Sequence, residues 1–297
     1  MAHRDDSILL GDMPIRRIGF GAMRITGRGV WGPPKDQRAA IALLRRVVDL
    51  GITFIDTADS YGPDVSEELI ASALHPYPSG LVIGTKGGMV RGGPWDWAID
   101  SRPDRLRTCV EGSLRKLRTE TIDLYQLHRP DPRIPIEESL GALVTLQAEG
   151  KIRHLGVCNL PPGLLRRAQA SARIVSVQNH HNLADRTDRA VLDTCKRNGL
   201  VFFAYFPLGD AGDGTGPALV AAAPGSPQAS VAARHGATPA QVALAWMIRT
   251  LPFAVPIPGT SSARHLDENA GALDLARRLT DDDLALLATI ETAPGVY

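Results

Sequence analysis

Eight short apolar runs of strand character, alternating with segments of helical period, predict an α/β chain of the (β/α)8 barrel type. Two further observations favour a barrel over an open doubly wound sheet. The runs are nearly continuous in apolar residues, as parallel strands covered on both faces are. The first strand-to-helix turn, Gly19-Phe20-Gly21-Ala22-Met23-Arg24, lacks the third glycine of the Gly-x-Gly-x-x-Gly turn that commonly opens a dinucleotide-binding sheet. All 297 residues are read as one domain, 44% hydrophobic and 22% charged, which suffices for a large core.

The elements follow in order. A β-hairpin is expected around Ile8 to Arg16, before the first barrel strand at Ile18 to Gly21. The remaining strands are expected at Thr53–Asp56, Leu81–Lys86, Asp123–His128, His154–Asn159, Ile174–Asn179, Val201–Phe206 and Phe253–Ile257, rich in the β-branched and aromatic residues that strands prefer. Among the helices, Asp36 can cap Asp36–Leu50, where Ile41, Leu44 and Val48 share a face and Gly51 ends the helix. Ile136–Glu149 ends likewise at Gly150, with Leu140, Leu143 and Val144 on one side, and Thr187–Asn198 ends at Gly199. The Gly-rich stretch Gly87–Pro103 and the Gly-, Ala- and Pro-rich stretch Gly209–Pro227 read as loops, the second long and flexible.

Composition removes several function classes. Thirty-three basic against thirty-two acidic residues give a net charge of +1, which offers no footprint for nucleic acid or an anionic membrane. No run approaches the roughly 18 apolar residues of a spanning helix, and the first residues lack the apolar core of a secretion signal, so a cytoplasmic location is expected. Cys109, Cys158 and Cys195 are odd in number and widely spaced, which predicts three free thiols and neither a disulfide framework nor a zinc knuckle.

Catalytic groups of such barrels sit at the C-terminal strand ends, and neighbouring parallel strands lie about 4.8 Å apart. Asp56 ends the second strand, Tyr61 lies in the loop after it, Lys86 ends the third and His128 the fourth. Taken singly, a lysine or histidine at a strand end is more often a satisfied structural residue. Four titratable groups on three consecutive strands are poorly explained by chance. A phenol with a pKa of about 10 is a poor proton shuttle near neutrality, but an adjacent ammonium lowers it. Lys86 is placed to act so on Tyr61, Asp56 to hold Lys86, and His128 to hydrogen-bond a carbonyl oxygen. No metal is required, and no nucleophile elbow or glycosidase carboxylate pair is present, so the group predicts proton donation to a carbonyl whose hydride comes from elsewhere.

These residues sit in segments that resemble the aldo-keto reductase superfamily: Phe54-Ile55-Asp56-Thr57-Ala58-Asp59-Ser60-Tyr61-Gly62, Gly84-Thr85-Lys86, Asp123-Leu124-Tyr125-Gln126-Leu127-His128, Gly150-Lys151-Ile152-Arg153-His154-Leu155-Gly156-Val157, Val177-Gln178-Asn179 and Ile257-Pro258-Gly259. They occur in the family's order from about residue 15 to 290. The resemblance implies a barrel that binds a nicotinamide cofactor, NADPH in preference to NADH, in extended form. It makes Asp56, Tyr61, Lys86 and His128 the catalytic tetrad, with Tyr61 the acid on reduction. It assigns Asn159 and Gln178 to the nicotinamide carboxamide and Tyr205 to the ring face, and it places Gly21, Met23, Asp56, Leu208, Gly209, Ile257, Gly259 and Thr260 along the cofactor. Cys158 and Phe206 stand where the family commonly has serine. A thiol is a weak donor, so Cys158 is either a replaced contact or a small buried residue. His180 and His181 likewise replace an acidic and an aromatic residue.

Pro258-Gly259-Thr260-Ser261-Ser262 opens the last barrel helix, whose free amides and positive dipole end suit a phosphate. Arg264, with Ser261 and Ser262, can meet an adenosine 2′-phosphate or stand as a solvated surface charge, and Glu268 and Asn269 match the family's adenine contacts. Met23, Trp31, Trp95, Trp97 and Arg129 are candidate substrate-pocket residues, because loops after strands one, three and four border the tetrad. The implied partner is a small carbonyl compound; nothing in the sequence marks an oligomer interface. A redox-sensing or regulatory subunit on the same fold, as in potassium-channel β subunits, and an unrelated barrel glycosidase or aldolase are the competing readings. The intact tetrad opposes the last.

Overall fold

The computed structural model describes residues 6–209, 219 and 221–292. It opens with an antiparallel hairpin, β1 (Ser7–Leu10) and β2 (Met13–Arg16), close to its expected place. Strands and helices then alternate: β3 (Phe20–Gly21), α1 (Gln37–Asp49), β4 (Phe54–Asp56), α2 (Val65–Leu74) and β5 (Val82–Gly87). A second antiparallel hairpin, β6 (Met89–Gly93) and β7 (Asp96–Ile99), interrupts the alternation before α3 (Pro103–Leu117). The chain continues with β8 (Ile122–Leu127), α4 (Ile136–Ala148), β9 (Ile152–Cys158), α5 (Pro162–Ser171), β10 (Ile174–His180), α6 (Arg189–Asn198) and β11 (Val201–Tyr205). After α7 (Pro227–His235), α8 (Pro239–Thr250) and β12 (Ala254–Pro256) come α9 (Ala263–Ala270), α10 (Ala272–Arg278) and α11 (Asp281–Ala288).

Eight parallel strands pair in the order β3-β4-β5-β8-β9-β10-β11-β12, and two backbone hydrogen bonds join the edges. Gly19 N donates to Pro256 O at 3.0 Å and Gly21 N to Pro258 O at 3.2 Å. That seam needs glycine. A Cβ on Gly21 would lie 2.7 Å from the carbonyl oxygen of Ile257, and one on Gly259 would lie 2.7 Å from that of Gly21.

Side chains alternate across each strand, so one set fills the barrel and the other meets the helices. The inner set begins with an apolar layer of Phe54, Val82, Leu124, Val201, Phe203 and Val255, in which Phe54 and Phe203 stack at 4.3 Å. Leu10, Met13 and Ile15 of the first hairpin close this layer from below. The outer set, including Ile55, Ile83, Tyr125, Val157 and Phe202, packs with the helix faces. Burying each such side chain contributes about 1.5–3 kcal/mol. Further along the strands, two residues past Phe54 and Leu124 and four past Val82, the inner positions turn largely polar: Asp56, Lys86, Gln126, Cys158 and Gln178 form the top layer.

Local signals explain the helices. Asp36 caps α1 by accepting from Ala39 N at 2.9 Å, and Leu43, Leu44 and Val47 form its buried face, with Ile41 and Val48 at the edge. Gly51, Gly150 and Gly199 take φ of +72°, +78° and +63° just past α1, α4 and α6, a conformation that costs glycine little. Three strands end one residue earlier than expected, because His128, Asn159 and Phe206 fall just beyond β8, β9 and β11; Asn159 and Phe206 have φ of +59° and +47°, which turns the chain out of the ladder. The expected Gly87–Pro103 loop is instead the β6–β7 hairpin. The expected long loop at Gly209–Pro227 lies mostly outside the described residues, and Pro227 begins α7.

Gly21→Ala is expected to cost about 1–3 kcal/mol, since the added methyl meets backbone that cannot rotate aside. Urea unfolding of the variant beside the parent measures this; an unchanged midpoint would show that the seam yields.

Candidate active site

The top layer of the barrel is built on a buried ion pair. Lys86 and Asp56 point inward from β5 and β4, and their charged atoms lie 2.6 Å apart with both side chains out of solvent. Lys86 Nζ also donates to the carbonyl oxygen of Thr57 at 2.9 Å and to the Tyr61 hydroxyl at 3.3 Å. Asp56 Oδ1 accepts from Gln178 Nε2 at 2.8 Å and from Gln126 Nε2 at 3.2 Å. Burial alone would discourage the lysine charge, but Asp56 and Tyr61 together raise its pKa above the ordinary value. Gln126 was not anticipated as part of the site. Its signal was its position two residues before His128 on one strand, hence on the same face.

Tyr61 is held by the loop that leaves β4. Thr57 N donates to Gly84 O at 2.8 Å and Asp59 N to Lys86 O at 3.1 Å, so this loop continues the pairing with β5 before it turns at Tyr61. The phenol is buried, and this reverses an expectation drawn from the sequence. Desolvation raises its pKa by more than the Lys86 ammonium lowers it, so the hydroxyl stays protonated well into the alkaline range. His128 meets the Tyr61 ring edge-on at 6.0 Å, and its Nδ1 is buried without a partner. Burial, with the charges of Lys86 and Arg129, keeps this imidazole well below the usual histidine range and therefore neutral. The four sequence-selected residues thus converge as Asp56⁻, Lys86⁺, a neutral phenol and a neutral imidazole.

Above them opens a cavity of about 580 Å³ whose lining includes Asp56, Tyr61 and His128. Met23, Trp95, Trp97 and Arg129, all expected near the substrate, line it; so do Val30, Met89 and Ile99, which the sequence did not single out. Trp31 is not on its wall. That side chain is 36% exposed and lies over Arg91, 5.8 Å from ring centroid to guanidinium carbon. Arg91 explains the β6–β7 hairpin. Its guanidinium donates to the carbonyl oxygens of Gly29, Val30, Ser60, Gly93 and Asp96 at 2.7–3.1 Å, and it lies 3.6 Å over the ring centroid of Trp97. An arginine in a glycine-rich stretch gives no sequence sign of such a clamp.

The positions assigned to a cofactor divide into two groups. Gly21, Met23, Asp56, Asn159, Gln178, Tyr205, Phe206, Leu208, Gly209, Ile257 and Gly259 line the cavity. Asn159 donates to the carbonyl oxygen of His128 at 3.0 Å and accepts from the Tyr205 hydroxyl at 2.7 Å, which ties the three strand ends together. Cys158, Thr260, Ser261, Arg264, Glu268 and Asn269 lie off that wall. The Cys158 thiol is buried 3.7 Å from Gln126 Oε1, and burial first of all pushes its pKa up, so it sits as a small neutral residue. Arg264 projects from α9 and faces Glu268 at 3.6 Å; Ser262 caps the same helix by accepting from His265 N at 3.4 Å. His180 accompanies Asp185 at 2.9 Å, and His181 stacks on Trp246.

An eight-stranded parallel barrel with a Tyr–Lys–Asp cluster and a histidine at its mouth defines an oxidoreductase-type site, and the chain belongs to the aldo/keto reductase family, whose model matches residues 17–217 and 221–292. It is 42% identical over 271 residues to an uncharacterized oxidoreductase of Schizosaccharomyces pombe, spanning 91% of this chain and 86% of that one. Pyridoxine 4-dehydrogenase of Escherichia coli is 39% identical over 289 residues, spanning 95% and 97%. Among solved structures, an aldo-keto reductase of Klebsiella pneumoniae in complex with NADPH superposes with a TM-score of 0.81 at 30% identity, covering 97% of this chain and 96% of that one. Among the described residues, no helix is long and apolar enough to cross a membrane.

Behind the Tyr61 loop lies a second buried polar cluster. Asp59 and Glu67 are both out of solvent, and each has a carboxylate oxygen without a hydrogen-bond partner, as have the hydroxyls of Tyr125 and Ser113. Desolvation pushes Asp59 up to about 6 despite a hydrogen bond from Cys109. The same cause pushes Glu67 up to about 7, against the donation from Thr85 at 2.6 Å. A carboxyl whose pKa is raised on folding stabilises the fold fully below its unfolded value, near 4.5 for Glu67, and that contribution is lost as pH rises to about 7. Glu67→Gln removes this titration, so the variant is expected to gain on the parent between pH 5 and pH 8. Urea melts at the two pH values test it; a parent-to-variant difference that does not change with pH would remove Glu67 as the titrating group.

Proposed function

We propose that this chain, acting as one barrel unit, is an NADPH-dependent carbonyl reductase that converts an aldehyde or ketone to an alcohol, with Tyr61 as the proton donor. The observation that carries this reading is the buried phenol on the cavity wall, 3.3 Å from a buried lysine amine. A nicotinamide cofactor, when bound, supplies the hydride. The residues present fit it: the cavity runs from the tetrad past Asn159, Tyr205, Phe206 and Leu208 to Gly259, just before the N-terminus of α9. NADPH is favoured over NADH because the Klebsiella relative was crystallised with it and because Ser261, Ser262 and Arg264 cluster at that helix start.

The work of the protein follows from its protonation states. Tyr61 holds its proton until a carbonyl oxygen accumulates charge, and then gives it up; the Lys86 ammonium stabilises the phenolate that remains. Asp56 keeps the ammonium in place, and the two glutamines keep Asp56 in place. His128 brings a neutral imidazole to the cavity wall, where its ring can help orient the carbonyl. Trp95, Trp97, Met23 and Met89 offer apolar walls, which suit a substrate with a planar part, as the name of the E. coli relative also suggests.

Tyr61→Phe is expected to lose at least about a hundredfold in kcat with NADPH and 4-nitrobenzaldehyde, while NADPH still quenches the protein's fluorescence. Undiminished turnover would refute the assignment of Tyr61, and a parent protein that neither quenches nor turns over would refute the reductase reading.

A further inference from the structure

Arg129 brings a solvent-exposed positive charge to the mouth of the cavity. It follows His128 at the end of β8, lines the cavity wall, and makes no hydrogen bond or ion pair with any described residue. An acid is close in sequence, but Asp131 is fully engaged: Oδ1 and Oδ2 accept from the guanidinium of Arg133 at 2.8 and 2.7 Å. Arg133 is anchored further by donating to the carbonyl oxygen of Ile99 at 2.9 Å, so it does not readily release Asp131. Among the described residues, the acidic side chain that lines the cavity is Asp56, and Lys86 neutralises it at 2.6 Å. His128 is neutral. The cavity wall therefore carries positive charge at Arg129, with Arg24 also in its lining, and is apolar on the side of the tryptophans.

Its charge reaches the reacting position. The guanidinium opposes protonation of His128 and favours ionisation of Tyr205 and Cys158, three side chains at the adjoining strand ends. A guanidinium presents paired donors that match the two oxygens of a carboxylate.

We propose that Arg129 is the counterion for an anionic oxygen group on the substrate, so that the site selects planar aldehydes bearing a carboxylate or a phenolate on the ring. This rests on the carbonyl-reductase reading and adds a substrate class to it. Tyr61 and the hydride still act on the carbonyl; Arg129 acts on the far end of the molecule and is expressed in binding.

The test compares 3- and 4-carboxybenzaldehyde with their uncharged methyl esters, using NADPH, in the parent, Arg129→Met and Arg129→Lys. The parent should favour at least one acid over its ester by about tenfold in kcat/KM, mainly through KM. Arg129→Met should abolish the preference, and Arg129→Lys should keep part of it. Because the ratio of acid to ester is read within each protein, a general loss of folded enzyme does not imitate the effect. Equal use of both acids and their esters by the parent, or an unchanged ratio in Arg129→Met, overturns the role of Arg129 and leaves the reductase reading intact. Failure of the parent to reduce acid, ester or 4-nitrobenzaldehyde overturns both.

Discussion

Two opposite charges, Lys86 and Asp56, are sealed inside the barrel, and the geometry of the candidate site depends on how their burial is compensated. Taking each from water costs several kcal/mol, and mutual attraction offsets this only when the remaining donors and acceptors are also satisfied. An ammonium has three N–H donors. Asp56, Thr57 and Tyr61 accept from Nζ, while Gln126 and Gln178 donate to the other oxygen of Asp56. Tyr61 is thereby fixed as the third acceptor of a buried cation. Removing a member of the set would leave a charge or an amide unsatisfied, so the arrangement is cooperative and stiff.

The same burial decides protonation. Proximity of an ammonium suggests a phenol made acidic, and that would hold for an exposed pair. Here both groups are desolvated, and the cost of placing a phenolate in a dry site exceeds the help that a lysine already paired to Asp56 gives. The phenol keeps its proton in the resting protein. His128 is neutral for a related reason, since a second cation beside Lys86 would be both buried and repelled.

Much of this was legible in the sequence because it follows periodicity. Strand runs with period two place Asp56, Lys86 and His128 at the same end of adjacent strands, and glycines after α1, α4 and α6 mark helix ends through their left-handed φ. Gln126 was readable by that rule but was not singled out. Other features depend on contacts between segments distant in the chain. Arg91 joins carbonyls 62 residues away, and nothing local in Arg91-Gly92-Gly93-Pro94 distinguishes a strand from a loop. Trp31 looked like a pocket residue because its loop borders the tetrad, yet cation–π contact turns it toward Arg91. Cys158 resolved in favour of the small buried residue, since the top layer leaves room for it beneath Gln126.

The Arg91 clamp uses main-chain oxygens from the loop after β3, the Tyr61 loop and the hairpin, and these oxygens exist whatever side chains the residues carry. The shape of the rim is consequently insulated from its chemistry. Side chains at Val30 or Trp95 can change without loosening the carbonyls to which the guanidinium is bound, whereas the arginine itself has no equivalent replacement, because lysine offers three donors to five acceptors. Such a rim separates what must stay constant from what is free to diverge, and one framework can then accommodate many substrates through the walls alone.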